Sequence, residues 1–294
     1  MIISSILFVI ILSLILGLPA QVAYKSSTEF VAAVVIIEIV YIIAYLKTKK
    51  KSMSDVVSVI YILLIIWEVV TKLQIAHPVL VPAPENVFAV FNTNAKDMLE
   101  GACSSMILLV QGILYAMVLG IFGGLFVGYV PRLRDTFLPI TRVISSIPPL
   151  VYTPYVVAVM PSFKSASVFI IFSAVFWPNF TSMIARVGSI DKKIIDSAKA
   201  MDLSLFSMLF KIILPYSLPD VIGRLSGSVT SAMLCLTGAE MLGANSGLGY
   251  FVKKYSDYAD YKRVIAGIIL IAVVVTIINI LINALQKKVI KWKY

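Results

Sequence analysis

Residues 196–215 read Asp-Ser-Ala-Lys-Ala-Met-Asp-Leu-Ser-Leu-Phe-Ser-Met-Leu-Phe-Lys-Ile-Ile-Leu-Pro, and they interrupt a chain otherwise made of long apolar runs. Ile195, Ala198, Met201, Leu205, Leu209 and Ile212 recur at steps of three or four. That spacing lays one apolar stripe along a helix. Lys192, Asp196 and Lys199 fall on the opposite side. Asp202 breaks the middle. A short polar side chain tolerates a turn conformation and can cap a helix beginning at Leu203. Two short helices with a bend at Asp202 are expected, with Pro215 and Pro219 stopping the second. Such a pair either lies flat on a membrane or fits its apolar face into a groove on a soluble partner. The residues alone do not choose between the two.

The surroundings of this segment identify its solvent. Of 294 residues, 60% are hydrophobic and 14% charged, and mean hydropathy is +0.98. Soluble chains carry about 25% charged residues, so lipid is the expected solvent. A span needs about 20 mostly apolar residues. Eight candidates appear, at 2–18, 29–46, 56–75, 104–129, 137–160, 165–186, 220–243 and 263–287. The fold expected is therefore all-α and polytopic. The first span resembles a signal-peptide core, but it lacks a basic leading region and is read as a retained helix.

Lys and Arg gather in cytoplasmic loops. Lys47, Lys49, Lys50 and Lys51 place the loop after the second span inside. Alternation then puts both termini inside and loop 76–103 outside. Arg132, Arg134, Arg186, Lys192, Lys193, Lys199, Lys211, Lys288, Lys291 and Lys293 all fall inside. Lys253, Lys254, Lys262 and Arg263 fall outside, partly offset by Asp257 and Asp260. The segment 187–219 is thus the longest cytoplasmic connection, and loops of that length are seldom structureless. Outside, Pro84-Glu85-Asn86 is expected to open a short helix.

Several chemistries are excluded or unsupported. The net charge of +10 comes without a basic face carrying stacking aromatics, so nucleic acid is not an expected partner. His77 is the only histidine, and Cys103 and Cys235 read as small buried hydrophobes, so neither a metal site nor a catalytic constellation is expected. No Gly-x-x-x-x-Gly-Lys-Ser/Thr loop is present. Pathway candidates come instead from polar groups within spans, which are costly in lipid. Glu240, near the outer end of the seventh span, reads as a gate residue or as an ordinary helix-end carboxylate. Glu68 lies near mid-span, Asn179 follows Trp177-Pro178 where a helix break is expected, and Gln111 would line the same cavity. Glu38 is a weaker candidate. Gly120, Gly124 and Gly128 are spaced for close helix contact.

The segment 196–215 resembles the EAA loop of ATP-binding-cassette (ABC) importer permeases. That motif reads E-A-A-x-x-x-G, nine residues, then I-x-L-P. Here Asp196-Ser197-Ala198, Asp202 and Ile212-x-Leu214-Pro215 match its spacing at every step. Asp196, Ser197 and Asp202 depart from the usual residues, and Asp202 replaces a glycine that reaches left-handed geometry without steric cost. Other segments resemble the family in order. They are Leu80–Val87, the glycines Gly120, Gly123, Gly124 and Gly128, Ser145-Ser146-Ile147-Pro148-Pro149-Leu150, and Glu240–Gly249. The subgroup looks like the nitrate, sulfonate and taurine permeases.

The resemblance covers roughly residues 56–294, with a coupling loop at 187–219, and leaves 1–55 as two extra N-terminal transmembrane helices. It implies that Asp196, Ser197, Ala198, Met201, Asp202, Leu205, Leu214 and Pro215 form an element docking in a cleft of a separate ATPase. It further implies an ATPase dimer that hydrolyses the ATP, a second permease copy and an outer solute-binding protein. No cofactor is then expected in this chain. The basic outer loop fits an organic or inorganic anion as cargo, or an acidic outer protein as partner. An ATP-independent secondary transporter or channel is the alternative. It would want mid-span charges and an inverted repeat, and neither is clear.

Overall fold

The computed structural model describes residues 2–17 and 27–289, without the side chains of Ile2, Lys199 and Val289. The readings that rest on Leu18, Lys291, Lys293 and the side chain of Lys199 lie outside the described residues. In chain order the elements are α1 (Ile2–Gly17), α2 (Thr28–Thr48), α3 (Lys51–Lys72), α4 (Pro84–Phe88), α5 (Val90–Thr93), α6 (Ala95–Tyr129), α7 (Pro131–Ser145), α8 (Pro149–Val159), α9 (Phe163–Gly188), α10 (Lys192–Ala200), α11 (Leu205–Ser207), α12 (Leu214–Gly243), α13 (Leu248–Asp257) and α14 (Tyr261–Val289). No strand occurs among the described residues. Six helices, counting Leu205–Gly243 as one, are long and apolar enough to cross a membrane. α1 and α8 are apolar but shorter. The chain is thus an all-α polytopic membrane protein. Pro84 takes the first position of α4, where its missing N–H costs nothing.

The chain forms two compact units. One comprises Met1–Leu99 and Phe251–Leu270, the other Glu100–Tyr250 and Ile271–Tyr294. In the first unit, α1, α2 and α3 close on Ile11, Ile15, Phe30, Val34, Tyr41, Val57 and Tyr61. Lipid gives no hydrophobic drive between helices, so polar contacts hold them. Tyr41 accepts from Ser4 (3.0 Å) and pairs with Ser54 (2.7 Å). The Tyr61 hydroxyl donates to Glu38 (2.8 Å). Ser54, Tyr61 and Glu68 lie seven residues apart on the buried face of α3. The two N-terminal helices are therefore bound into one unit with α3.

In the second unit, α6 and α9 run side by side. A methyl group at Gly112, Gly124 or Gly128 would come within 2.5, 2.7 or 2.8 Å of Ile171, Met183 or Val187. The two sets of numbers rise together, so the helices are parallel. The chain between them must therefore cross back. The expected single span 137–160 makes this return in two pieces, α7 and α8, broken at Ser146–Pro148. Pro148 is extended, at φ −62 and ψ 128. A residue that precedes a proline is pushed out of the helical region, and Pro148 precedes Pro149. Ser145 meets Thr181 of α9 at the break (3.0 Å).

Candidate functional site

At the end of α9 the chain turns through Ser189–Asp191, and the Asp191 carboxylate accepts from the Lys193 N–H (2.9 Å) to start α10. α10 ends at Ala200, and Asp202 takes the left-handed conformation at φ +50. The expected bend is present, formed by one of the few residue types that tolerate that geometry. The expected cap is elsewhere. Ser204, rather than Asp202, accepts from a first-turn N–H, that of Ser207 (3.3 Å).

Pro215 and Pro219 do not stop the second helix, which continues to Gly243. Met208–Ile213 forms a wider π-helical turn, and the Leu214 N–H bonds to the Leu209 carbonyl five residues back. A proline ring normally collides with the carbonyl four residues before it. The wider turn just ahead of Pro215 relieves that collision. Isolated π-turns of this kind are frequent at functional sites.

The apolar stripe divides. Ala198, only 4% exposed, joins Leu209, Met208 and Ile213 in a core with Leu125, Met183, Val187, Ile190 and Val221. Met201 and Phe206, 72% and 67% exposed, face away from the protein, as does Leu205. Asp196, Ser197 and Pro215 are exposed, and Leu214 is half-buried. Ala198 is therefore a packing residue of its own chain, and Phe206, which the stripe did not include, belongs to the exposed face. Its ring stacks on Phe210 (centroids 4.4 Å apart), which holds it in place. A cleft of about 470 Å³ opens beside α10, between Tyr129, Arg134, Gly188, Lys192, Asp196 and Ile213. Arg186 at the end of α9 pairs with Asp220 of α12 (2.7 Å) and lies over the Tyr216 ring (4.9 Å). The two helices flanking the bent element are thus tied directly.

At the far end of α12, Glu240 is 1% exposed. Its carboxylate accepts from the Ser105 hydroxyl (2.5 Å) and the Gly249 N–H (2.7 Å), while Ser105 accepts from the Leu248 N–H (2.9 Å). These are free donors of the first turn of α13, which a carboxylate satisfies best. Gly247, at φ +127, lets the turn press on the carboxylate, since a methyl there would lie 2.4 Å from Glu240 Cδ. Both oxygens are engaged by the chain itself.

Residues 116–291 match the family model described as binding-protein-dependent transport system inner membrane component. This chain belongs to that family. The taurine transport system permease protein TauC of Escherichia coli is 27% identical over 238 residues, 79% of this chain and 86% of that protein. The putative aliphatic sulfonates transport permease protein SsuC of Bacillus subtilis is 24% identical, covering 79% of this chain and 85% of its own. The nitrate import permease protein NrtB of Leptolyngbya laminosa is 26% identical, over 61% and 64% respectively. The chain is a permease subunit of an ABC importer and a multi-pass membrane protein. It is a transport component and not an enzyme.

Within this permease each of the four pathway candidates has its own surroundings. Glu240 clasps α13. Glu68 is fully buried in an ion cluster of the other unit. Asn179 donates to the Val175 carbonyl (2.7 Å) and to Ser228 of α12 (3.1 Å). α9 passes Pro178 without a break, so the expected unwound site there is absent. Gln111 lies on an exposed face of α6. Cys103 is exposed and only Cys235 is buried, which corrects one of the two cysteine readings. Ser105 was missed because nothing in a serine within an apolar run points to a carboxylate 135 residues away.

Proposed function

We propose that this permease imports a small organic or inorganic anion, driven by a separate ATPase that docks on the bent element at residues 192–215. One observation carries this reading. Met201, Leu205 and Phe206 are large apolar side chains left exposed at a bend, in a segment that neighbouring cations assign to the cytoplasm. Water is a poor solvent for such a cluster, and a clustered apolar face of this kind fits a partner groove. Asp196, Ser197, Asp202 and Pro215, all exposed, frame the face, while Ala198 and Leu214 hold the element to its own protein. The chain carries no phosphate-binding loop, so the ATP is bound and hydrolysed by the partner and this chain needs no cofactor.

The working assembly has two permease copies, an ATPase dimer and an extracytoplasmic solute-binding protein, in the cell membrane with both permease termini inside. When the ATPases close, the two bent elements approach each other. Each pulls on α9 and α12, which Arg186–Asp220 ties together, and access alternates across the membrane. The sulfonate, taurine and nitrate transported by relatives support an anionic cargo. The half-buried Lys253 and Lys254 on the outer side, the first paired with Asp257, suit either the anion or an acidic surface of the binding protein. Co-purification of the permease with its ATPase tests the docking face. Uptake of labelled taurine and nitrate into proteoliposomes tests the cargo class. Uptake that ignored ATP and followed an ion gradient would overturn the importer mechanism.

A further inference from the structure

Three ionisable side chains in the N-terminal unit play no part in this mechanism. Glu68 and Glu85 are both 0% exposed and Lys72 is 8% exposed. Lys72 Nζ lies 2.9 Å from a Glu68 oxygen and 4.0 Å from a Glu85 oxygen. It also donates to the Leu14 carbonyl in the last turn of α1 (2.5 Å), with the Ile15 carbonyl at 3.5 Å. A lysine at a helix C-terminus satisfies carbonyls that the helix leaves free. One ammonium therefore joins α1, α3 and α4.

The charges in this cluster do not balance. Beyond the Lys72 ion pair and the backbone N–H of Glu85 itself, no donor among the described residues reaches any of the four carboxylate oxygens. Among the described residues no further cation pairs with either carboxylate, and Lys253 of α13 and Arg263 of α14 are taken by Asp257 and Asp260. α1 has no ionisable side chain. α2 contributes Glu29 and Glu38, which accept from Asn92 (3.3 Å) and Tyr61 (2.8 Å). Trp67, next to Glu68, donates to the Pro82 carbonyl (3.0 Å). Two carboxylates against one ammonium would leave a bare negative charge in a dry site. Protein groups avoid that by taking up a proton, and two adjacent carboxyls commonly hold one between them.

We infer that Glu68 and Glu85 form a proton-binding site, and that the proton held there lets Lys72 lock the end of α1 and the α4 segment onto α3. The missing hydrogen-bond partner of the carboxylates is then the shared proton itself. Glu85 lies outside the membrane-spanning helices. Burial pushes its carboxyl up to about 7, the neighbouring Glu68 adds to the rise, and Lys72 opposes it. A carboxyl with a raised value favours the closed, protonated state at low pH. The lock is therefore complete below the ordinary glutamate value and is lost as pH rises through about 7. It gives α1 a pH-dependent attachment, and it does not depend on the importer reading.

The test uses the full-length protein in lipid nanodiscs, with infrared difference spectra between about pH 5.5 and 8.5, either side of the Glu85 value. In the difference between unsubstituted protein and Glu85→Gln or Glu68→Gln, which cancels any band of the buried Glu240, a protonated carboxyl band should be present at the lower pH and vanish at the higher. In parallel, Ile15→Cys, in a background carrying Cys103→Ser and Cys235→Ser, reports opening by its rate of thiol labelling. Divided by the rate of a fully exposed reference thiol at the same pH, which removes the rise in thiolate, labelling should quicken about tenfold or more at the higher pH, and stay slow at both in Glu85→Gln, whose amide mimics the protonated acid. No titrating band in the difference between unsubstituted and variant protein, for either glutamine variant, would overturn the site. Normalised labelling rates equal at the two pH values would overturn the lock. If neither glutamine variant folds, the labelling of the Ile15→Cys protein alone decides.

Discussion

The two ends of α12 solve opposite problems. At its C-terminal end, Glu240 is held by the Ser105 hydroxyl and the Gly249 N–H. The carboxylate is buried, both of its oxygens are paired, and the glycines let the backbone close over it. At the other end, the bent element around Asp202 is half finished. One side of its stripe, with Ala198 and Leu209, fills the protein's own core. The other side, with Met201, Leu205 and Phe206, is left exposed. The bend uses a non-glycine left-handed residue and the return uses a π-turn. A self-complete site is structural. An apolar face built on strained backbone and left open is made for something that arrives.

That contrast is open to breakage by mutation, and the effects should fall in order. Ala198→Arg forces a cation into the protein's own core, and an unpaired buried charge costs about 3–5 kcal/mol. The variant should unfold early in a thermal melt of the solubilised permease. A normal melt with only ATPase binding lost would mean that Ala198 faces the partner after all. Glu240→Ala strands the Gly249 N–H and the Ser105 cluster, at about 2–3 kcal/mol, with Glu240→Gln recovering part of it. Unchanged stability with transport abolished would return Glu240 to the pathway. Arg186→Ala removes a partly exposed ion pair and a ring contact, worth about 0.5–1.5 kcal/mol in all. Its larger signature should be weaker stimulation of the ATPase by the permease, because the tie between α9 and α12 is cut. Asp202→Gly should change stability by less than about 1 kcal/mol and keep docking, since glycine relieves the left-handed strain but loosens the unfolded chain. Loss of docking in Asp202→Gly would show that the carboxylate itself contacts the partner.

Much of this architecture was legible because lipid leaves few choices. The long apolar runs had to be helices, and the lysines and arginines of short loops set their expected direction. The period of residues 195–212 announced a helix with a sticky side, and the motif spacing announced the bend. The readings that failed are those that need a third dimension. Periodicity shows that Ala198 and Met201 share a stripe, but not which of them the protein's own α6 and α9 will cover. Pro215 and Pro219 look like stops until a π-turn makes room for the ring. The span at 137–160 is two helices, and their break at Ser146–Pro148 falls where the residues Pro148 and Pro149 are read as marking one. Glu68 looked like a pathway group because Lys72 and Glu85, which occupy it, come together only in the folded unit.

The exposed half of the bent element carries the central claim, and one measurement tests it most directly. A permease carrying Met201→Glu and Phe206→Glu is purified from membranes alongside its ATPase. Both side chains are exposed, so the melt should match the unsubstituted protein, while ATPase co-purification should fall by about tenfold or more, as expected when apolar anchors of an interface are lost. An undiminished complex, with the permease folded, would contradict docking on this face.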